Sequence, residues 1–240
     1  MQAVLLATGE KNKLRPLPDT VPSPMVPVVG RPVMSYPLDL LIRQNFKHIV
    51  INLYSLANSI EAYFGTGSRW GIELQYVLQP QAWGSAGSLH WARHHLTEPF
   101  VVLPADQLID IDLLAILEQH EAKKSAVTIV IHPGIAPHFS GFNLPGENIT
   151  RPDQGTWFET GVYIIDPSVL ERIPARTVYD ISTDLIPDLV DAGIAVDSYK
   201  VYGYWNSLAT FSDLQMAQNA LLSSAQGILD GTPSIHYTSI

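Results

Sequence analysis

Short apolar runs alternate with amphipathic segments along most of the chain. Val4 to Ala7, His48 to Leu53, Ile72 to Leu78, Phe100 to Leu103 and Ala126 to Ile131 are rich in Val, Ile and Leu with few polar interruptions. That is the composition of strands covered on both faces. Between them, Val33 to Gln44, Ser59 to Phe64, Ala86 to His95 and Leu113 to Ala122 read as helices. The alternation predicts an α/β fold of three layers: a mostly parallel, mixed sheet with helices on both faces and a ligand crevice at the carboxyl ends of the strands. Thr156 to Ile165 and Ala195 to Tyr202 add strands, and Thr183 to Ala192 and Phe211 to Ser223 add helices. From Gln226 the pattern fades into Gly227, Gly231, Pro233 and short polar residues, which predicts one domain over 1–225 and a tail over 226–240.

Composition narrows the class. With 240 residues, 46% of them apolar and 15% charged, there is chain enough for one large core. No apolar run approaches the ~20 residues that span a bilayer, and no basic segment precedes an apolar one at the start, so a cytoplasmic protein is expected. Zero cysteines exclude disulfides, zinc-thiolate sites and thiol nucleophiles. A net charge of −9, with 14 basic residues spread along the chain, argues against a nucleic-acid surface.

Candidate chemistry gathers where the apolar runs end. After the first strand comes Ala7-Thr8-Gly9-Glu10-Lys11-Asn12-Lys13, then Leu14-Arg15-Pro16-Leu17 and Pro22-Ser23-Pro24-Met25-Val26-Pro27-Val28. A loop in that place turns backbone N–H groups toward an anion, and Gly9 allows close approach. Gly84-Ser85-Ala86-Gly87-Ser88-Leu89, Leu103-Pro104-Ala105-Asp106, Glu159-Thr160-Gly161-Val162-Tyr163 and Gly203-Tyr204-Trp205-Asn206-Ser207-Leu208-Ala209-Thr210 follow. Asp106 ends a strand at the same crevice as the first loop.

In order and over nearly the whole chain, these segments resemble the motifs of the sugar-1-phosphate nucleotidyltransferases, the NDP-sugar pyrophosphorylases, and mannose-1-phosphate guanylyltransferase-like proteins in particular. The resemblance implies a Rossmann-like, GT-A-like fold. It implies a reaction in which a nucleoside triphosphate and a sugar 1-phosphate give an NDP-sugar and pyrophosphate, with Mg²⁺ as cofactor. It assigns nucleotide contacts to Ala7, Thr8, Gly9, Gln79, Gly84, Ser85, Ala86 and Gly87, and catalytic roles to Arg15, Lys13 and Asp106. Sugar contacts fall to Glu159, Thr160, Gly161, Arg151 and Trp205. Asp106 becomes the metal ligand, with Ser207 where the second aspartate of the family stands. Homo-oligomers or pairing with an active relative are also implied.

Several charged groups of that pattern are replaced here. Thr8 and Lys11 stand for glycines, Lys13 for an arginine, Ser23 for a lysine and Ser207 for an aspartate. Ser207 offers Mg²⁺ only a neutral hydroxyl, and loss of a cation facing transition-state phosphate costs on the order of 10²-fold in rate. The alternative expectation is therefore a sugar-nucleotide-binding or regulatory subunit without turnover. Glu159 stands as a replacement carboxylate beside the sugar-facing strand. Asp213 lies too far along the chain to be assumed one, and Asn206 supplies only a carbonyl oxygen. Asp110 and Asp112 precede the apolar run at Leu113 and read as helix caps. His90 and His94 share a helical face with no third ligand, so zinc is not implied. Trp83, Trp157 and Trp205 fit either a core or a pocket wall.

Overall fold

The first apolar run forms β1 (Gln2–Ala7), with Ala3 and Leu5 buried on one side and Val4 on the other. The computed structural model describes residues 1–8, 14, 21–134, 142–144, 147–149 and 157–230. In chain order the further elements are β2 (Pro27–Val28), β3 (Arg31–Pro32), α1 (Ser35–Arg43), β4 (His48–Leu53), α2 (Ala57–Phe64), β5 (Glu73–Leu78) and α3 (Gly84–Ala92). They are followed by β6 (Phe100–Pro104), β7 (Leu108–Ile109), α4 (Leu113–Lys123), β8 (Val127–Pro133), β9 (Phe142–Leu144), β10 (Glu147–Ile149) and β11 (Trp157–Ile165). The last are α5 (Ile186–Asp191), β12 (Val196–Lys200), β13 (Trp205–Asn206) and α6 (Phe211–Asp230).

Seven strands form one mixed sheet in the order β12-β8-β11-β6-β1-β4-β5. β6, β1, β4 and β5 are mutually parallel, β12 is parallel to β8, and β11 runs antiparallel between β6 and β8. Because strand side chains alternate between faces, each strand feeds two cores. One core joins Ala3, Leu5 and Leu103 to α1, α2 and α4 through Leu41, Ile60 and Ile116. The other joins Val4, Val102 and Ile129 to α3 and α5 through Leu89 and Leu189. The three layers expected from the alternating pattern are present.

Two features differ from the sequence expectation in detail. α6 continues to Asp230, across the boundary expected at residue 225; Ala, Leu and Gln sustain the helix and a single glycine there costs only about 1 kcal/mol. The helix expected from Thr183 instead begins as a π turn over Ile181–Leu185, closed by Leu185 N donating to Asp180 O at 2.9 Å. A bulge in β11 positions the site. Glu159 pairs with Ile131 and Tyr163 with Ile129, so two extra residues of β11 are accommodated between them. Gly161, at φ +80°, turns the bulge against Pro104.

Candidate functional site

Four chain segments converge at the carboxyl ends of the central strands. Leu6 of β1 pairs with Asn52 of β4 on one side and Pro104 of β6 on the other. Ala105 N then donates to Leu6 O at 3.0 Å, which carries Asp106 to the end of β1, beside Ala7 and Thr8. The two-residue strands β7 and β13 pair antiparallel, Trp205 opposite Ile109 and Asn206 opposite Leu108. One step further along that register, Ser207 lies level with Gln107, next to Asp106. Gly203 permits this pairing, because a Cβ there would lie 2.1 Å from Asp110 O.

The β11 bulge closes one side of the crevice. Trp205 Nε1 donates to Thr160 O at 3.2 Å, and a Cβ on Gly161 would meet Pro104 Cγ at 2.9 Å. Thr160 is itself fixed by donating to Val130 O at 2.8 Å. Glu159 is only 3% exposed and pairs with Ile131 of β8. Burial alone pushes its carboxyl up to about 8. At pH 7 it therefore keeps its proton and offers an O–H donor rather than an anion. Trp205 packs on Phe158 with ring centroids 4.7 Å apart, so it is part wall and part core.

The opposite side of the crevice is built by β5 and α3. Gln79 follows β5, is 2% exposed, and is held by its N–H donating to Leu53 O at 2.9 Å. The Ser88 hydroxyl lies 2.6 Å from Gly84 O and 3.1 Å from Gln79 Oε1. A hydroxyl has one proton, and the shorter contact takes it. With the Gln79 amide turned over, Nε2–H donates to Ser88 Oγ and the carbonyl becomes the atom without a protein partner; unturned, Nε2 is that atom. In either orientation one buried amide atom of Gln79 lacks a protein partner.

The glycines of the α3 turn have a second reason to be glycine. A Cβ on Gly84, at φ +74°, would lie 2.7 Å from Tyr179 O, and one on Gly87 would lie 3.0 Å from Thr177 O. The backbone of residues 177 to 180 thus rests directly on the α3 turn. Arg176, exposed and at φ +56°, precedes it. Ser85 N and Oγ both donate to Asp180 Oδ1, at 2.8 and 3.0 Å. Sequence reasoning missed Asp180, since nothing local ties it to a turn 95 residues away.

Other expected residues are brought in or set aside. Gly9, Lys13, Arg15 and Arg151 lie outside the described residues. Asp213 is committed to the α6 cap, accepting from Thr210 N at 2.8 Å, and Asn206 is committed to Asp213 O and Leu208 N. Asp112 caps α4 by accepting from Leu114 N and Ala115 N, as expected. Asp110 is not a cap; it lies 3.6 Å from Arg43 and its N–H donates to Tyr204 O. Among the described residues no cluster of three or more acidic, His or Cys side chains could hold a metal by itself. A metal here would be held by Asp106 together with substrate oxygens, which suits Mg²⁺, an ion commonly bound through one or two carboxylates plus phosphates.

The comparisons with known proteins agree with this geometry. The chain is 32% identical over 242 residues to a UTP–glucose-1-phosphate uridylyltransferase of Synechocystis, covering 87% of this chain and 62% of that protein. It is 31% identical to an N-acetylmuramate α-1-phosphate uridylyltransferase of Neisseria meningitidis, covering 91% of this chain and 97% of that one. A mannose-1-phosphate guanylyltransferase of Mycobacterium tuberculosis is 25% identical, with 62% of its length covered. A Bacillus anthracis structure solved as a glucose-1-phosphate thymidylyltransferase with sucrose superposes with a TM-score of 0.80 at 21% identity, over 91% of this chain and 94% of that one. HddC of Yersinia pseudotuberculosis with GMP-PN superposes at 0.79 and 17% identity, over 92% and 99%. The nucleotidyl transferase family model matches residues 2–224, and the chain belongs to that family.

Proposed function

We propose that the chain transfers a uridylyl group from UTP to a sugar 1-phosphate: a phosphate oxygen of the sugar attacks the α-phosphorus, the bond to the leaving pyrophosphate breaks, and an NDP-sugar forms. The observation that carries this reading is the gathering of the α3 turn, Asp106 and the β11 bulge at one crevice on a chain of this family. In-line transfer asks the protein mainly for positioning and charge neutralisation. When bound, Mg²⁺ supplies much of that charge.

Gln79 discriminates uracil from cytosine. With its amide turned, the buried carbonyl accepts the N3–H of uracil, whereas cytosine presents a lone pair at the same position and would leave the carbonyl unpaired, an arrangement that costs ~1–3 kcal/mol. Two of the similar proteins are uridylyltransferases, in agreement. On the acceptor side the protonated Glu159 donates to a sugar hydroxyl, with the half-buried Trp205 beside it.

The test is pyrophosphate release with Mg²⁺, UTP, dTTP, GTP, CTP and ATP against glucose, mannose and N-acetylmuramate 1-phosphates, alongside thermal shifts. Release with UTP at least tenfold faster than with CTP is expected. Thermal stabilisation by UTP without release would mark a binding subunit instead, and neither shift nor release with any pair refutes the proposal.

A further inference from the structure

The α3 turn is laced to a distant segment of the chain. Ser85 N and Oγ donate to Asp180 Oδ1, and Ile181 N donates to Ser85 Oγ at 2.8 Å. Gly87 N donates to Tyr179 O and Tyr179 N to Trp83 O, both at 2.9 Å. Asp180 is held in its own turn: its N–H donates to Asp184 Oδ2 at 2.8 Å, and its carbonyl closes the π turn. From the laced turn the contacts continue inward, since Gly84 O accepts the Ser88 hydroxyl and Ser88 touches Gln79.

We infer that Asp180 is a positioning residue for the nucleotide: through Ser85 it fixes the turn over residues 84–87, and with it Ser88 and Gln79, in the arrangement that receives the base. This rests on the nucleotide-transfer reading above. An internal carboxylate also occupies the amide end of α3 that would otherwise attract phosphate. The α3 turn is thereby reserved for the base, and the triphosphate must be held elsewhere in the crevice. Removing the carboxylate frees both Ser85 donors and returns the helix end to solvent or to phosphate.

The fold contains a matched control. At the end of β11, away from the crevice, Asp166 Oδ1 accepts from both the N–H and the hydroxyl of Ser168, at 2.9 and 2.5 Å. Asp180→Ala and Asp166→Ala therefore remove the same pair of bonds, one at the nucleotide turn and one at the far end of the sheet. Isothermal titration with Mg²⁺ and UTP, with KM for UTP and for glucose 1-phosphate measured separately, distinguishes them. We expect Asp180→Ala to weaken UTP about tenfold with the glucose 1-phosphate KM within about twofold. Asp180→Asn, whose side-chain carbonyl can accept both bonds, should recover to within about threefold of wild type, and Asp166→Ala should lower the melting temperature alone. Unchanged UTP affinity in Asp180→Ala, equal loss in Asp166→Ala, or parallel loss for UTP and glucose 1-phosphate would each overturn the inference. Should Asp180→Ala fail to fold, Ser85→Ala carries the test: about threefold weaker UTP supports it and wild-type affinity overturns it. A wild-type chain that binds no nucleotide refutes the function itself, before any variant is compared.

Discussion

Replacing Glu159 by glutamine should make the protein more stable, and increasingly so as pH rises. The carboxyl titrates at about 8 in the folded chain against 4.5 when solvated, because burial disfavours its charged form. The folded chain thus holds this proton more tightly than the unfolded one. Between pH 4.5 and 8 unfolding releases it, and stability falls as pH rises; above 8 both states are ionised and the loss levels off. At 1.36 kcal/mol per pH unit, the loss attributable to this group is about 3 kcal/mol at pH 7 and roughly 5 kcal/mol above pH 8. Glutamine fills nearly the same volume without an ionisable proton. Guanidinium unfolding at pH 5, 7 and 9, without Mg²⁺ or nucleotide, should show the variant's advantage growing by about 1.4 kcal/mol per unit until near pH 8. Other titrating groups cancel in the difference between the two proteins. A difference independent of pH would show that the folded carboxyl is solvated, and the donor role proposed for it would fail too.

Gly161→Ala puts a Cβ 2.9 Å from Pro104 Cγ on a backbone at φ +80°, and should cost about 1–3 kcal/mol in calorimetric stability; an unshifted melting point would mean that the bulge relaxes freely. Ser207→Asp with Ser23→Lys restores the two charged groups of the family pattern and should raise pyrophosphate release on the order of 10²-fold; no gain would place the limit elsewhere. Asp112→Ala removes the α4 cap and should lower stability by about 1 kcal/mol while UTP affinity is kept, so a change in affinity would reveal unsuspected coupling of α4 to the crevice.

The sheet and its two covering layers were legible because the central strands β1, β4 and β6 are apolar on both faces, a pattern that survives without knowledge of partners. Asp106 and the Gly84 turn were legible for a related reason: both end such runs. The pairing of β7 with β13 was not, since two-residue strands have no period, and their register depends on Gly203 approaching Asp110 O. Asp180 was hidden by sequence distance. The small residues at 84 and 87 announced close approach by something, but a sequence does not say whether that is a base or a backbone. The state of Glu159 was hidden as well, because a glutamate in a strand reads as a solvated carboxylate until the strands and helices around it remove the water. Asp213, set aside as a metal ligand on chain distance alone, turns out to close a helix, a role that its place just inside the first turn of α6 explains.

The strand order has a consequence for how the chain is made. β8 emerges during synthesis before either of its neighbours, since β11 and β12 both lie C-terminal to it. The outer edge of β6 likewise stays open until β11 arrives. A single late strand therefore seals two raw edges at once, and a nascent polypeptide halted short of residue 157 presents both to any passing strand. Such edges are where unfinished chains join one another, so protection by a chaperone matters most in the interval between the synthesis of β8 and that of β11.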